Sequence, residues 1–305
     1  MHIKSCKELR LEMERPRVTA EKICFKGVEG NDVYNTTPDF TWDGEHWIIG
    51  RVEPRDSEIS CVRIFRRISS NIYEAAYPEV VFERFQDPFV TKVGDEIVVG
   101  GIQIDTNPLD TYDIINWRTC FFRGKHLDSL RLFACAPNRM KDVRLAEMQD
   151  GRIALFTRPI VGNPEKGRIG FTVVDSLDQV TEKAIETAPI SYTHFTPMEW
   201  GGVNEIHPLP DGKLGILGHI SCRDELGLHY HVMTFIHDPL TNTHTPIKML
   251  LTRDMLPAGE YKRPELQDVL FAGGLVRHSD HTATLYTGVS DCETWCVVIA
   301  DPFAE

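Results

Sequence analysis

DPFVTKVGDEIVVGG, residues 87–101, reads as a complete β-hairpin: an apolar run, a Gly-Asp turn and a second apolar run. Gly and Asp accept the positive φ of a tight turn, and the β-branched residues on either side favour a pleated backbone. The same pattern recurs in PDFTWDGEHWIIG (38–50), DVRLAEMQDGRIALF (142–156), EIHPLPDGKLGILG (205–218) and DVLFAGGLVRHSDHTATLYTG (268–288). The turns are spaced by about fifty to about seventy residues, the period of a propeller blade with loop insertions. Taken alone, such hairpins also fit sandwiches and barrels.

The spacing predicts an all-β fold, a five-bladed β-propeller forming a single domain over residues 1–305. Blades are expected near 30–75, 76–135, 136–190, 191–255 and 256–305. ISCVRIFRRI (59–68) and TWCVVIADP (294–302) supply later strands for the first and last blades. Helical text is confined to a short N-terminal helix or extension in KSCKELRLEMER (4–15), with a second short candidate in LTRDMLPAG (251–259). The last repeat leaves room for one clear strand after its hairpin. An N-terminal strand, KICFKGV (22–28), is therefore expected to complete the final blade and close the ring.

Outward from the repeat, 305 residues with 42% hydrophobic content suffice for a sizeable core. A formal net charge of −12 argues against a nucleic-acid surface, though not against a small anion in a local basic pocket. No stretch approaches the ~20 apolar residues of a membrane span, and the N-terminus is too charged for a signal peptide. Eight scattered cysteines without a Cys-x-x-Cys pair read as reduced, mostly buried thiols, and the expected location is cytoplasmic.

The first strand of each propeller blade lines the central channel, so its polar residues converge on one pocket. Here that strand carries Asp39, Asp87, Asp142, Glu205 or Asp268 near its start. Carboxylates accept hydrogen bonds from paired sugar hydroxyls, although an acid at such a spot can equally cap a turn or pair with Arg. Arg51 with Glu53, Arg158 and His219 follow the hairpins, and Lys141 precedes Asp142. Cationic and imidazole groups there could hold phosphate or a sugar phosphate. Tyr286 and Trp200-Gly201-Gly202 are candidates for stacking on a sugar ring, with core packing the plainer role. His229-Tyr230-His231 places two imidazoles on one strand face, but without a matching third ligand no metal is assigned.

Several of these segments are similar to those of glycoside hydrolase family 130, the mannoside phosphorylases. Asp87-Pro88 before a strand, a Gly-Asp turn and another strand resembles that family's Glu-Asp-Pro-Arg signature. Gly50-Arg51-Val52-Glu53 resembles its Arg-Val-Glu, and Lys141-Asp142 through Phe156-Thr157-Arg158-Pro159 its Lys…His-Arg-Pro block. Leu217-Gly218-His219 resembles its Tyr-His-Gly, and Asp268-Val269-Leu270-Phe271 its Asp-Val-x-Phe-Pro. A closer resemblance is to glycosyltransferase family 108, a group of similar fold that includes mannosyltransferase/phosphorylases. Two positions depart from the signature: Gln86 stands where Glu is usual and Phe89 where Arg is usual.

The resemblance implies an enzyme that builds β-1,2-linked mannan from GDP-mannose or mannose 1-phosphate and shortens it with phosphate. Asp87 would be the general acid/base, its proton relayed through the 3-hydroxyl of the bound mannose. Asp39, Arg51, Asp142, Glu205, Asp268 and Tyr286 would bind mannose, and Lys141, Arg158 and His219 phosphate. Phosphate needs positioning rather than deprotonation, so one acid suffices where inverting hydrolysis needs two carboxylates. No cofactor is expected beyond inorganic phosphate as co-substrate. The chain has no Asp-x-Asp motif, which makes metal-independent transfer the simpler expectation. The alternatives are a β-1,2-mannosidase of the same fold and a non-catalytic carbohydrate-binding propeller.

Overall fold

The computed structural model describes residues 2–304, and strands dominate it. The quoted hairpin is Phe85–Val93 against Glu96–Asn107, followed by Asp110–Gly124 and Arg131–Cys135 as an antiparallel meander of four strands. Each of the other repeats opens a meander of its own. They are built on Glu45–Glu53 with Cys61–Ser69, Ile153–Thr157 with Ile169–Val174, Leu214–Asp224 with Gly227–Asp238, and Thr282–Val289 with Glu293–Ala300. A parallel contact of His229 with Asp268 and Tyr230 with Val269 joins the fourth and fifth meanders.

The apolar core is divided between neighbouring sheets. Trp47, Ile49 and Ile64 of the first meander pack with Ile97, Val99 and Phe85 of the second. Phe89, Val98 and Phe121 meet Leu145, Ile153 and Leu155 of the third. The third and fourth share Phe156, Phe171, Ile216 and Phe235, and the fourth and fifth share Leu217, Val232, Leu270 and Leu285. A further cluster sets Tyr286 of the last meander against Ile48, Phe65 and Tyr73 of the first. Alternating strands that bury one face toward each neighbour give this arrangement.

The N-terminal segment differs from expectation by one strand. Thr19–Lys22 pairs with Glu293–Ala300 and completes the last meander, while Cys24–Lys26 pairs in parallel with Ile72–Ala75 of the first. Buried Ile23 lies between them, so one short stretch ties the two meanders together. The N-terminal helix is Cys6–Glu12, opened by a capping box between Ser5 and Glu8. Seven residues are too few to hold a helix in isolation. Burial of Cys6 and Leu9 against the third and fourth meanders supplies the rest. LTRDMLPAG yields only one 3-10 turn, Arg253–Met255, because Pro257 forbids continuation. No helix among the described residues is long and apolar enough to cross a membrane.

Candidate active site

Asp87 interrupts its own strand. Gln86 faces Ile102 and Phe89 faces Gly100, so the Asp87-Pro88 pair bulges against a single partner position. Pro88 has no N–H to lose from the ladder, and Asp87 takes a left-handed φ of 47°. Backbone strain of this kind in a residue with a Cβ persists where neighbours over-determine it. Here Asn35 donates its Nδ2–H to Asp87 Oδ1 at 2.8 Å, and the Arg51 guanidinium lies 3.4 Å from the same oxygen. Asp87 is 6% exposed.

Arg51 is the hub of a buried charge network. Its Nε donates to Glu53 Oε2 at 2.8 Å, and its Nη2 donates to Glu53 and to Glu58 at 3.1 Å. Its plane covers the Tyr34 ring at 4.8 Å, and Tyr34 donates to Glu53. Lys262 donates to both Glu53 and Glu58, and Arg263 donates to Glu58 at 2.6 Å. Burial would raise the Glu58 carboxyl, but Arg51, Lys262 and Arg263 hold it below the ordinary value. Asp291 adjoins the network in the last hairpin turn, with a φ of 54°. Burial, aided by the charge of Asp87 and opposed by Arg51, pushes its carboxyl up to about 6.

The second cluster centres on Asp142, also left-handed at 58°. Arg158 Nε lies 3.4 Å and His219 Nε2 3.9 Å from Asp142 Oδ2. Burial alone would raise the Asp142 carboxyl; Arg158, then Lys141 and Arg144, bring it down to about 2. Burial pushes His219 down to about 3, so its imidazole is neutral, with Nδ1 2.8 Å from Asn204 Oδ1. Arg158 also donates to the Gly201 carbonyl. Gly202 permits this crowding: a Cβ there would stand 2.9 Å from Arg158 Cδ and 3.1 Å from His219 Cε1. Asp142 Oδ1 and Asn204 Nδ2 are buried polar atoms without a protein partner. Such atoms mark a place for a polar ligand.

Arg144 stands between the two clusters and lies within the electrostatic reach of both Asp87 and Asp142. Its guanidinium rests on the Phe89 ring at 4.5 Å and donates to the Asn204 and Val143 carbonyls. Phe89, where the family signature has Arg, is thus the platform for an arginine supplied from the next meander. Gln86 donates to the Glu58 carbonyl at 3.4 Å.

Asp87 and Arg51 therefore share one network, and Asp142, Lys141, Arg158 and His219 share a second beside it. Of the remaining expected residues, Glu205 lines a cavity with Phe89, Arg144 and Asn204, whereas Asp39, Asp268 and Tyr286 are engaged elsewhere. Asp39 accepts from Tyr73 at 2.6 Å and pairs with His46 and Arg67, and Tyr286 is packed in the core beside Tyr73. Glu205 accepts the Leu275 N–H and contacts His207, each at 2.7 Å. Asp268 sits 2.7 Å from His229 Nδ1 and 3.6 Å from Arg10. Asp268 also supplies the third ligating group that the sequence did not offer His229 and His231. Both His229 nitrogens are already engaged by Asp268 and Asp224, and Arg10 offsets the carboxylate charge. Sequence reasoning missed Asn35, Glu58, Arg144, Asn204, Lys262 and Asp291. A signal was present for two of them: Asn35 and Asp291 are of types that tolerate left-handed backbone, and both take positive φ between strands.

Solved structures resemble the chain over nearly its whole length. A mannose phosphorylase from Leishmania mexicana, in complex with phosphate ion, is 33% identical, with 97% of this chain and 92% of that chain covered and a TM-score of 0.88. A GDP-Man-dependent mannosyltransferase from the same organism is 32% identical, covering 97% and 94%, with a TM-score of 0.86. A β-1,2-mannobiose phosphorylase from Listeria innocua shares the fold at 17% identity, covering 90% and 91%, with a TM-score of 0.62. No curated protein matches the chain. A family model described as a protein of unknown function, DUF1861, matches residues 10–305, and the chain belongs to that family.

Proposed function

We propose that the chain is a β-1,2-mannoside phosphorylase/mannosyltransferase of the glycosyltransferase family 108 kind, folded as one five-bladed β-propeller. It is an enzyme of glycosyltransferase and glycoside phosphorylase chemistry. The observation that carries the reading is the pairing of two buried clusters: a strained, singly placed Asp87, and an adjoining Asp142–Arg158–His219 group with unpartnered polar atoms. The five meanders and the core shared between the last and the first support ring closure.

In the degradative direction Asp87 delivers a proton toward the glycosidic oxygen, relayed through the 3-hydroxyl of the bound mannose. Asn35 and Arg51 hold the carboxylate in place while the proton leaves. Phosphate, positioned by Lys141, Arg158 and His219, attacks the anomeric carbon from the opposite face and leaves as mannose 1-phosphate. In synthesis Asp87 takes the proton of the acceptor hydroxyl, and phosphate or GDP departs. Neutral His219 carries its N–H on Nδ1 toward Asn204 Oδ1 and offers Nε2 as an acceptor for a phosphate hydroxyl, so Lys141 and Arg158 carry the positive charge. Neither a metal nor an organic cofactor enters this scheme.

The test incubates the protein with β-1,2-mannooligosaccharide, with and without phosphate. Phosphate-dependent mannose 1-phosphate is the expected product. Free mannose independent of phosphate would make the protein a mannosidase, and binding without any product a carbohydrate-binding propeller.

A further inference from the structure

Cys120 and Cys135 are direct cross-strand partners between Asp110–Gly124 and Arg131–Cys135, and their sulfurs are 2.7 Å apart. Cross-strand partners in an antiparallel pair have Cα atoms about 4.5–5.5 Å apart, inside the range a disulfide spans, and the S–S bond itself is about 2.05 Å. Joining these sulfurs thus takes well under an ångström of movement and no strand rearrangement. Cys6 and Cys222 also touch, but Cys6 lies on the N-terminal helix; among the described residues only Cys120 and Cys135 are cross-strand partners, seated in the core between the first two meanders.

The two sulfurs are unequal. Cys120 is 1% exposed, while Cys135 ends its strand and keeps access to solvent. A hydrogen bond from Cys120, with Arg118 nearby, brings the Cys135 thiol down to about 7, and the same contact raises Cys120. A partly exposed thiolate beside a buried thiol is the arrangement of an attacking and a resolving cysteine.

We propose that Cys120 and Cys135 form a redox-modification site, a dithiol that small peroxides convert into a cross-strand disulfide. The Cys135 thiolate attacks one peroxide oxygen, the O–O bond breaks, and hydroxide leaves with the electron pair to yield a sulfenic acid. The Cys120 sulfur then attacks the sulfenic sulfur and expels water. Two thiols and one hydrogen peroxide give one disulfide and two waters, the two electrons passing from sulfur to oxygen.

The bond would act on a particular stretch of chain. Thr119, next to Cys120, accepts the Ala136 N–H at its carbonyl, donates its N–H to Met140, and accepts the Val143 N–H at its hydroxyl. Residues 136–143, which include Lys141 and Asp142, are thereby hung from Thr119 at both ends. A disulfide at the head of that stretch fixes its starting point covalently.

The experiment treats the reduced full-length protein with hydrogen peroxide in slight molar excess, then alkylates it in denaturant and maps the peptides. The expected result is loss of two alkylatable thiols out of eight, a cross-linked peptide holding Cys120 and Cys135, and full recovery with dithiothreitol. The oxidised protein should melt about 5 °C higher, since a fifteen-residue loop is closed. Cys135→Ser should lose both the cross-link and the melting shift. Alkylation of Cys120 and Cys135 after peroxide, a sulfinic acid on Cys135 with Cys120 free, or a link between two molecules would each overturn the proposal. The readout is covalent and independent of mannoside chemistry, so its failure is distinguishable from failure of the functional reading.

Discussion

Asp87 is buried, left-handed and hydrogen-bonded by Asn35, with Arg51 beside it. Asp87→Asn keeps the shape and the contact with Asn35's neighbourhood but removes the proton. Turnover should fall by about a thousandfold or more while the melting temperature stays within a few degrees. Phosphorolysis assays and thermal melts of the purified variant check this, and substantial residual turnover would remove Asp87 from the mechanism.

Asp291 offers a test of opposite sign. Its native carboxyl is raised to about 6, so between the ordinary carboxylate range and pH 6 the native state binds more protons than the unfolded chain. Stability contributed at this position therefore falls as pH rises through that window, and the cost is complete above it. Asp291→Asn should stabilise the protein at pH 7.5 by on the order of 1–2 kcal/mol, with some of the nominal shift lost to residual exposure. The gain should shrink at pH 5. Denaturant melts at the two pH values measure it, and equal gains at both would contradict the burial account.

At the scale of elements, the first strands of three meanders bulge. Register slips fall between Gly100 and Ile102, between Val203 and Glu205, and between Ala272 and Gly274. Each slip inserts one residue and reverses the in-out alternation beyond it. Asn204 falls at the slip of its strand, and it, rather than Glu205, meets His219. Asp39 and Asp268 joined other networks, with Tyr73, His46 and Arg67 and with His229 and Arg10. The hairpins themselves were legible, because turn chemistry is local.

The fourth meander also carries Gly202, which lets Arg158 and His219 pass close to the backbone. Gly202→Ala should push both side chains off their positions through contacts near 2.9 and 3.1 Å. The expected effect is a rise of about tenfold or more in the KM for phosphate, with a smaller change for the mannoside. Initial rates over a phosphate series check it. A KM unchanged for phosphate would separate Arg158 and His219 from the anion site.

Across the whole molecule, four histidines are buried in neutral form. Burial depresses His219 to about 3 and His231 and His237 to about 4, and holds His194 well below its ordinary value. Below about pH 6.5 the unfolded chain takes up protons at these positions and the native state does not, so stability falls as pH drops from about 6.5 toward 4. Asp142, lowered to about 2, adds its own loss only below the ordinary carboxylate range. The melting temperature should therefore fall steeply between pH 6.5 and 4.5. A flat profile over that interval would mean the histidines are protonated in the native state.

The seam between the first and last meanders is a property of this scale too. The last hairpin approaches the first meander so closely that a Cβ on Gly288 would stand 1.9 Å from Asn35 Oδ1. Asn35 in turn holds Asp87, so the seam between chain ends helps position the candidate acid.

By itself the sequence determined the hairpins, the strand-dominated character and the short N-terminal helix, and it singled out Arg51, Asp87, Lys141, Asp142, Arg158 and His219 as candidate residues. These follow from turn residues, β-branched runs and motifs whose order is local or linear. Only the tertiary structure decided which strand completes the last meander, which acids turn inward, and that Arg144, Asn35 and Asp291 join the site. Those outcomes depend on bulges and on packing between sheets far apart in the chain, where a one-residue slip reverses a side chain and no local propensity records it.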